Sequence, residues 1–444
     1  MFKRKVYDDL LHWKNEMAPR YGCLLEGARR VGKTTIAEEF AKSEYDSYIK
    51  IDFSKLSKEL EKVIEDINDL DLFFIELQNT THINLIERKS LIIFDEVQFC
   101  PKARQAIKHL VSDGRYDYLE TGSLISIKKN TKSILIPSEE HKINVFPMDY
   151  DEFLWATSGN PDVISMAVNY NKPLGQEINR KMMRDFRMYM AVGGMPQVID
   201  TYLKTNNFSK VDEAKREILK LYNDDIYKID SSGRMSAIFN SIPSQLALKK
   251  NRFVITSATG KQKTTKDEER LFDLIDAKIV LPCYNVINPG PSLLQTKDFD
   301  TFKLYLCDIG LFTSMLFDNG NGISNDIYSK LLSDKLPADL GYMYENVVAQ
   351  MITSTNRNLY YHTWQKENST HSYEVDFIIQ SHGKVIPIEV KSSNTSTHES
   401  IDQFSNKYSK YIGRRFLFSQ KDYGNDNMLE LKPIYSFPFV LKEL

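Results

Sequence analysis

The feature that most constrains the fold is a glycine loop near the N-terminus. Residues 27–35 read Gly-Ala-Arg-Arg-Val-Gly-Lys-Thr-Thr, which matches the pattern G-x-x-x-x-G-K-T. The apolar run 23–25 precedes this loop, and the helix-forming stretch 36–40 follows it. That order predicts a strand, a loop whose backbone N–H groups surround a phosphate chain, and a helix N-terminus with partial positive charge. We therefore expect an α/β fold with a parallel sheet that binds a nucleotide.

The loop residues have separate expected parts in binding ATP with Mg²⁺. Gly27 and Gly32 let the backbone curl around the phosphates. Lys33 is placed for the β- and γ-phosphates, and the Thr34 hydroxyl is placed for Mg²⁺. The predicted nucleotide-binding residues are Gly27, Ala28, Arg29, Arg30, Val31, Gly32, Lys33, Thr34 and Thr35.

An acid pair follows the next strongly apolar segment. The run 90–94 ends in Asp95 and Glu96, a pattern typical of a parallel strand buried on both faces. We expect Asp95 to hold Mg²⁺ and Glu96 to orient or deprotonate the attacking water, so the site is predicted to hydrolyse ATP. A third strand-like run ends in Thr-Gly-Ser at 121–123. Ser123 is a candidate for sensing the γ-phosphate, and a plain Gly-Ser turn is the alternative.

Composition is that of an ordinary globular chain. Of 444 residues, 42% are hydrophobic and 27% are charged, which predicts about three domains with separate cores. A net charge of −2 gives no global attraction to nucleic acid, so any contact with DNA has to be a local patch. Four scattered cysteines, a polar N-terminal stretch and the lack of a membrane-length apolar run predict a reduced, cytoplasmic protein.

Shifts in pattern divide the chain into four predicted parts. Residues 1–150 alternate strands and helices, and 151–232 have the helical periodicity of a lid or linker. Residues 233–299 combine helical stretches with a predicted strand at 252–256, which suggests a winged-helix segment, and 300–444 form the last domain. Basic residues of the third part are candidates for phosphate contacts, with a solvated loop as an equal alternative. They are Lys249, Lys250, Arg252, Lys261, Lys263 and Lys266.

Two apolar stretches near the C-terminus, 373–379 and 385–391, predict a β-hairpin. A four-residue loop at 381–384 would join them and pair Gln380 with Val385. Alternation of side chains then places apolar residues on one face of the hairpin and charged residues on the other.

The register of this hairpin predicts an acidic site. Glu374 lies opposite Lys391, a pair of opposite charges. Asp376 lies opposite Glu389, so in this pair two like charges face each other. A divalent metal ion that bridged the carboxylates would offset this repulsion, with Lys391 beside the bound water. Glu345, in a helix-patterned stretch, is a further candidate ligand. A hairpin whose acids are satisfied by Lys391 and solvent is the equal alternative.

The motifs along the chain resemble those of prokaryotic AAA-type ATPases that join a P-loop domain to a C-terminal domain of unknown function, DUF4143. The resemblance implies an ATPase core, a winged-helix segment and a C-terminal fold similar to PD-(D/E)xK restriction endonucleases. In those nucleases the motif is an acid, an Asp and Glu-x-Lys, which map onto Glu345, Asp376, Glu389 and Lys391. Activity does not follow from the resemblance, since that fold also has purely binding members. The stretches that carry it are 27–35, 93–98, 121–123, 146–153, 193–196, 305–311, 374–377 and 388–391.

One departure from the resembled family concerns an arginine finger. Relatives often have Gly-Arg shortly before the position of Phe146, where this chain reads Ser-Glu-Glu-His-Lys at 138–142. Arg104 or Arg115 would then have to act, or hydrolysis would be slow.

Two classes of function fit these observations. In the first, an ATP-driven enzyme acts on DNA, which binds through the winged-helix and C-terminal domains, and the C-terminal site cuts. In the second, an ATP-gated switch or scaffold uses an inactive nuclease-like domain to bind a nucleic acid or protein partner. The catalytic residues of the first are Lys33, Glu96, Ser123, Asp376, Glu389 and Lys391.

Overall fold

The computed structural model describes residues 1–122, 137–318, 320, 322–336, 340–392 and 397–444. Two compact units make up the chain: residues 1–146 with Asp276–Lys278, and residues 147–275 with 279–444. Ser123 lies outside the described residues, so its assigned part stays a prediction. The division of residues 151–444 into three parts stays a prediction as well.

The first unit is built on a five-stranded parallel sheet, as predicted. Its strands are β1 (Gly22–Glu26), β2 (Ser47–Asp52), β3 (Ser90–Asp95), β4 (Asp117–Thr121) and β5 (Glu140–Asn144). They lie in the order β2-β3-β4-β1-β5. The helices are α1 (Val6–His12), α2 (Lys33–Glu44), α3 (Lys58–Glu65), α4 (Leu70–Thr81) and α5 (Pro101–Asp113). β1, β3 and β4 are buried along their whole length, which places the carboxyl ends of three central strands side by side.

A run of helices opens the second unit, in agreement with the helical periodicity. They are α6 (Tyr150–Ala156), α7 (Pro161–Tyr170), α8 (Gln176–Val192), α9 (Pro196–Thr205), α10 (Phe208–Ile229), α11 (Arg234–Asn240), α12 (Ile242–Ala247), α13 (Ile255–Thr259) and α14 (Thr265–Asp276). Asp149 and Glu152 form a capping box that fixes the start of α6, since each side chain accepts a hydrogen bond from the other residue's backbone N–H.

The predicted strand at 252–256 is wrong. Only the Phe253 N–H pairs with a strand residue, and it donates to the Phe302 carbonyl oxygen at 2.7 Å. The Gln245 side chain satisfies both backbone groups of Val254, and α13 begins at Ile255. The apolar run at 253–255 that suggested a strand therefore reflects one β-like contact followed by a helical turn.

Two sheets complete the second unit. The first has β6 (Val280–Val286), β7 (Lys297–Leu306), β8 (Leu359–Gln365) and β9 (Ser372–Val375) in the order β7-β6-β8-β9. The second has β10 (Phe377–Ser381), β11 (Lys384–Val390), β12 (Arg415–Ser419), β13 (Gly424–Asp426) and β14 (Leu429–Pro433) in the order β10-β11-β12-β14-β13. Around them lie α15 (Ile309–Phe317), α16 (Asn325–Leu332), α17 (Gly341–Thr353), α18 (Glu399–Lys407) and α19 (Phe437–Lys442).

The predicted hairpin exists, but its turn is tighter and one strand departs. Gln380 pairs with Val385 as predicted, whereas Ser381 also pairs with Lys384, so the loop has two residues and not four. His382 and Gly383 have φ values of 49° and 73°, the left-handed backbone that a type I′ turn requires.

The predicted pairing of Glu374 with Lys391 is wrong. The chain bends at Asp376, and β9 pairs with β8, which places Glu374 opposite Thr363. The hairpin ladder accordingly ends at the pair Phe377–Ile388.

Backbone segments from three parts of the sequence interlock at glycines of the second unit. A Cβ on Gly194 would lie 2.0 Å from the Met148 carbonyl oxygen, and one on Gly310 would lie 2.3 Å from the Val192 carbonyl oxygen. The Gly194 N–H donates to the buried Asp308 carboxylate at 2.5 Å. Side chains at these glycines would separate segments that need direct backbone contact, so the motifs at 146–153, 193–196 and 305–311 have a structural explanation.

Candidate functional site

The glycine loop of the first unit is shaped by close backbone contact. Gly32 ends the loop with φ of 95°, and α2 begins at Lys33. A Cβ on Gly27 would lie 2.2 Å from the Val145 carbonyl oxygen, so only glycine fits there. Both glycines named in the motif are thus required by the loop's own geometry.

Lys33 lies over the loop that precedes it. Its Nζ donates to the carbonyl oxygens of Gly27 and Ala28, each at 2.9 Å. Burial lowers the pKa of the Lys33 ammonium to about 8, while the nearby Glu96 and Asp95 carboxylates act in the opposite direction. The ammonium therefore has few anionic partners to compensate for its burial, and a bound phosphate would supply the missing charge.

Two hydroxyl side chains from separate elements meet at the Asp95 carboxylate. The Thr34 hydroxyl at the start of α2 donates to Asp95 Oδ1 at 2.8 Å, and the Thr121 hydroxyl at the end of β4 donates to the same oxygen. Asp95 itself ends β3 and is almost fully buried. The parallel register of β3 and β4 brings Asp95 and Thr121 to the same sheet edge.

Glu96 has a backbone conformation uncommon for a non-glycine residue. Its φ and ψ are 55° and 46°, and its N–H donates to Thr121 Oγ1 at 3.4 Å. The Gln98 amide donates to the Glu96 carboxylate. Left-handed backbone after a buried strand turns Glu96 away from the path of the sheet, and such strain is often found at functional positions.

The donor set at this loop fits Mg²⁺ with a nucleotide phosphate. Mg²⁺ prefers oxygen ligands and is usually held by one or two protein oxygens together with phosphate and water. Thr34 Oγ1 and Asp95 Oδ1 are such oxygens and lie in direct contact.

Both arginines considered as fingers are held within the first unit. Arg104 forms a bidentate ion pair with Glu140, at 3.0 and 2.9 Å, and both side chains are buried. Arg115 pairs with Asp113 at 2.7 Å and lies over the Phe74 ring. Both guanidinium groups are thus engaged in ion pairs, and a part for either as an arginine finger stays a prediction.

A cluster of four acids and two lysines lies in the second unit, and we call it the carboxylate cluster. Lys303, on β7, is at its centre: its Nζ is 2.6 Å from Glu374 Oε1 and 3.6 Å from Glu345 Oε2. The Tyr305 hydroxyl donates to the same Glu345 oxygen at 2.8 Å. The members are Lys303, Glu345, Glu374, Asp376, Glu389 and Lys391.

The other half of the carboxylate cluster contains the predicted acid pair. Asp376 accepts a hydrogen bond from the Val390 N–H at 2.8 Å, and Lys391 Nζ is 2.6 Å from Glu389 Oε1. Asp376 and Glu389 are buried, and Glu389 Oε2 has no hydrogen-bond partner among the described residues. The structure therefore brings together all four residues that the sequence predicted here.

The charges of the carboxylate cluster are strongly coupled. Burial raises the pKa of the Asp376 carboxyl well above its usual range, and the charges of Glu389 and Glu345 raise it further. Burial also raises the pKa of Glu389, against the opposing effect of Lys391. Burial by itself would lower the pKa of Lys303, but the charges of its acidic neighbours outweigh burial and raise it well above its usual range. Lys303 is consequently a fixed cation among acids.

The metal ion predicted for the carboxylate cluster stays a prediction. Among the described residues, His, Cys, Asp and Glu side chains do not assemble into a group of three that could hold an ion. Glu345 is bonded to Tyr305 and Lys303, so a lysine ammonium takes the position where a cation would neutralise the acids. We derive no metal-dependent step from this site.

Sequence reasoning missed Thr121, Lys303 and Tyr305. Thr121 belongs to the Thr-Gly-Ser motif at 121–123, in which Ser123 was the predicted functional residue. Lys303 and Tyr305 alternate on a strand with apolar neighbours, and a lysine inside an otherwise buried strand was the available signal.

Comparison with protein families identifies the class of the first unit. An AAA domain matches residues 20–154, and domains of unknown function match residues 183–322 (DUF8612) and 340–437 (DUF4143). The chain therefore carries an AAA-type P-loop ATPase domain. It also carries a DUF4143 domain, as the resemblance implied.

Solved structures give only distant likenesses. A Walker-type ATPase of Pyrococcus abyssi is 16% identical over 71% of this chain and 96% of that chain, with a TM-score of 0.44. A Holliday junction branch migration motor of Thermotoga maritima is 14% identical over 63% of this chain and 89% of that chain, with a TM-score of 0.28. These TM-scores carry no functional argument. No curated protein matches the sequence.

In the part of the chain that the structure describes, there is no helix with the length and apolar character of a membrane span. A cytoplasmic location stays a prediction.

Proposed function

We propose that this protein hydrolyses ATP at the glycine loop and that its C-terminal part binds DNA. The proposal of ATP hydrolysis rests on the contact of Thr34 and Thr121 with one oxygen of Asp95. This contact joins the glycine loop, the acid at the end of β3 and the hydroxyl at the end of β4 in one site. Lys33 and the loop N–H groups would bind the phosphates. Thr34 and Asp95 would hold Mg²⁺, which neutralises phosphate charge when bound.

Glu96 is proposed to position and deprotonate the attacking water. It follows directly on Asp95, and its left-handed backbone projects it from the sheet edge. Gln98 donates to the Glu96 carboxylate and would hold it in one orientation. A carboxylate so placed accepts a proton from water as the nucleophile attacks.

Two variants separate binding from hydrolysis at this site. Lys33→Ala should abolish ATP binding, because the phosphate-facing charge is lost while the fold remains. Glu96→Gln should still bind ATP, while steady-state hydrolysis falls by about a hundredfold or more. Lys42→Ala is a matched control, because this lysine is exposed near the end of the same helix. Wild-type turnover in Glu96→Gln would refute the assignment of Glu96.

We infer a nuclease-like fold for residues 300–444 from the carboxylate cluster. Glu345 comes from α17, Asp376 from the bend before β10, and Glu389 with Lys391 from the end of β11. This is the set of an acid, an Asp and Glu-x-Lys that the resemblance implies. The order of α11 to α14 followed by the antiparallel pair β6–β7 likewise supports a winged-helix segment.

The position of Lys303 favours binding over cutting. An ammonium that already neutralises Glu374 and Glu345 leaves little need for a metal ion. A Mg²⁺/Mn²⁺ nuclease assay with and without ATP, on wild type and Asp376→Ala, decides between the two. Metal-dependent cutting that is lost in Asp376→Ala would establish a nuclease.

The second candidate function is an ATP-gated switch or scaffold that binds a protein partner. The start of α14 favours it, because Glu268 and Glu269 are exposed there and would repel DNA phosphates. If the protein binds no DNA, with or without ATP, the switch or scaffold that binds a protein partner is the function that remains.

A further inference from the structure

A groove opens beside the carboxylate cluster on the same face of the β7–β9 sheet. Its volume is about 460 Å³, and Lys250, Arg252, Thr301, Thr363 and Ser372 are among its lining residues. The sequence identified the two cations as candidates for phosphate contacts without a location for the phosphate.

The basic side of the groove is a loop that is fastened to the sheet. The Asn251 amide donates to Thr363 Oγ1 at 3.2 Å, and the Tyr361 hydroxyl donates to the Asn251 carbonyl oxygen. Both contacts fix the residue between Lys250 and Arg252. The two cations are exposed, and neither side chain forms a hydrogen bond or ion pair within the described ranges. They are therefore held in place but remain available to an anion.

The floor of the groove leads to the acids. Ser372 and Glu374 are two residues apart on β9, and Thr301 and Lys303 are two residues apart on β7. Side chains two residues apart on a strand share a face and lie about 7 Å apart. Register places Thr363 directly opposite Glu374. A chain lying in the groove would thus pass from the two cations to the carboxylate cluster.

We propose that this groove binds single-stranded DNA, with Lys250 and Arg252 on its phosphates. The inference rests on the proposed binding of DNA by the C-terminal part and names its form and its contact residues. Size favours the single strand, because a groove of about 460 Å³ can take a nucleotide whose base is unpaired, whereas the bases of a duplex are held inside the helix. The rest of the lining is uncharged and includes Trp364, which suits contact with bases without fixing a sequence.

Ion pairs around α14 favour the loop with Lys250 and Arg252, over α14 itself, as the site of contact with DNA. Asp267 on α14 is buried between Arg234 and Arg270, at 2.5 and 2.9 Å, and Glu268 pairs with Lys263 at 2.8 Å. Arg234, Lys263 and Arg270 are thus paired with acids, whereas Lys250 and Arg252 have no acidic partner within the described ranges.

The test measures binding of a fluorescein-labelled 20-nucleotide single strand to the full chain in EDTA, by anisotropy over a range of salt. Lys250→Gln/Arg252→Gln should weaken binding by about tenfold or more, and should make the slope of log K against log salt less negative by about 1.4. Lys261→Gln/Lys266→Gln removes the same charge from exposed positions near α14 and should bind as the wild type does. Circular dichroism confirms the fold of each variant.

The outcomes separate this inference from the proposed function. If the wild type binds no DNA, both fail. If it binds and the Lys250/Arg252 variant binds equally well, DNA binding stands and the groove is refuted. Equal losses in both double variants, tighter binding of duplex than single strand, or equal competition by polyglutamate would also overturn the groove, since each indicates general anion attraction or another surface.

Discussion

Removal of the ammonium at the centre of the carboxylate cluster tests how the cluster is held together. In Lys303→Met the side chain keeps a similar length and loses its positive charge. Lys303 Nζ is 2.6 Å from Glu374 Oε1, and its side chain is 6% exposed. Breaking a buried ion pair by removing one partner costs about 3–5 kcal/mol, because the remaining charge is left without compensation. We expect a loss of that size in the free energy of unfolding.

A second variant identifies the source of the loss. Glu374→Gln in the Lys303→Met background removes the stranded carboxylate, so it should recover about 1–3 kcal/mol. Lys391→Met is the matched control: its side chain is 33% exposed, so its removal should cost less than that of Lys303. Urea denaturation followed by circular dichroism gives the free energy of unfolding of the wild type and of the three variants. A loss below about 1 kcal/mol in Lys303→Met, or no recovery in the double variant, would refute the central part of Lys303.

Three further predictions concern single residues. Gly194→Ala should destabilise the fold by about 3 kcal/mol or more in thermal or urea unfolding, because its Cβ would lie 2.0 Å from the Met148 carbonyl oxygen, while Gly290→Ala, with its nearest contact at 3.9 Å, should be neutral. Burial lowers the pKa of His362 to about 4, so its contribution to stability is full above pH 6.5 and falls by about 3 kcal/mol as the pH drops to 4; a stability–pH curve as steep in His362→Gln would contradict this. Thr121→Val removes a hydrogen bond to the β3 acid and should lower ATP turnover by about tenfold while ATP binding persists; unchanged turnover would make Thr121 structural.

Local patterns predicted the first unit well. A glycine loop between a strand and a helix, and an acid pair after an apolar run, depend on neighbours in sequence, and the parallel sheet places them together as expected. The hairpin register at Gln380 and Val385 was likewise local. The tighter turn was missed because its two central residues are His382 and Gly383, whereas Asn-Gly, Asp-Gly or Gly-Gly is the usual signal of a two-residue type I′ turn.

Every member of the carboxylate cluster except Lys303 was named from the sequence, and the charge balance that Lys303 sets was not predicted. Lys303 and Glu374 are 71 positions apart, and their ion pair exists because β7 and β9 belong to one sheet. Sequence alone assigned Glu374 to Lys391 across a hairpin, since it had no sign that the chain bends at Asp376 and crosses to β8. Lys303 is therefore a long-range partner that brings positive charge to acids for which local repulsion had suggested a metal ion.

The interlocked glycines have a consequence for how this protein can be divided. Gly194 and Asp308 are joined by a hydrogen bond across 114 positions, and Gly310 packs directly against the backbone of Val192. A fragment that began near residue 300 would remove the hydrogen bond from the Gly194 N–H to Asp308 and would remove β6 from between β7 and β8. We therefore expect residues 147–444 to fold only when they are expressed together, and a fragment that begins after residue 146 to be better folded than one that begins near residue 300.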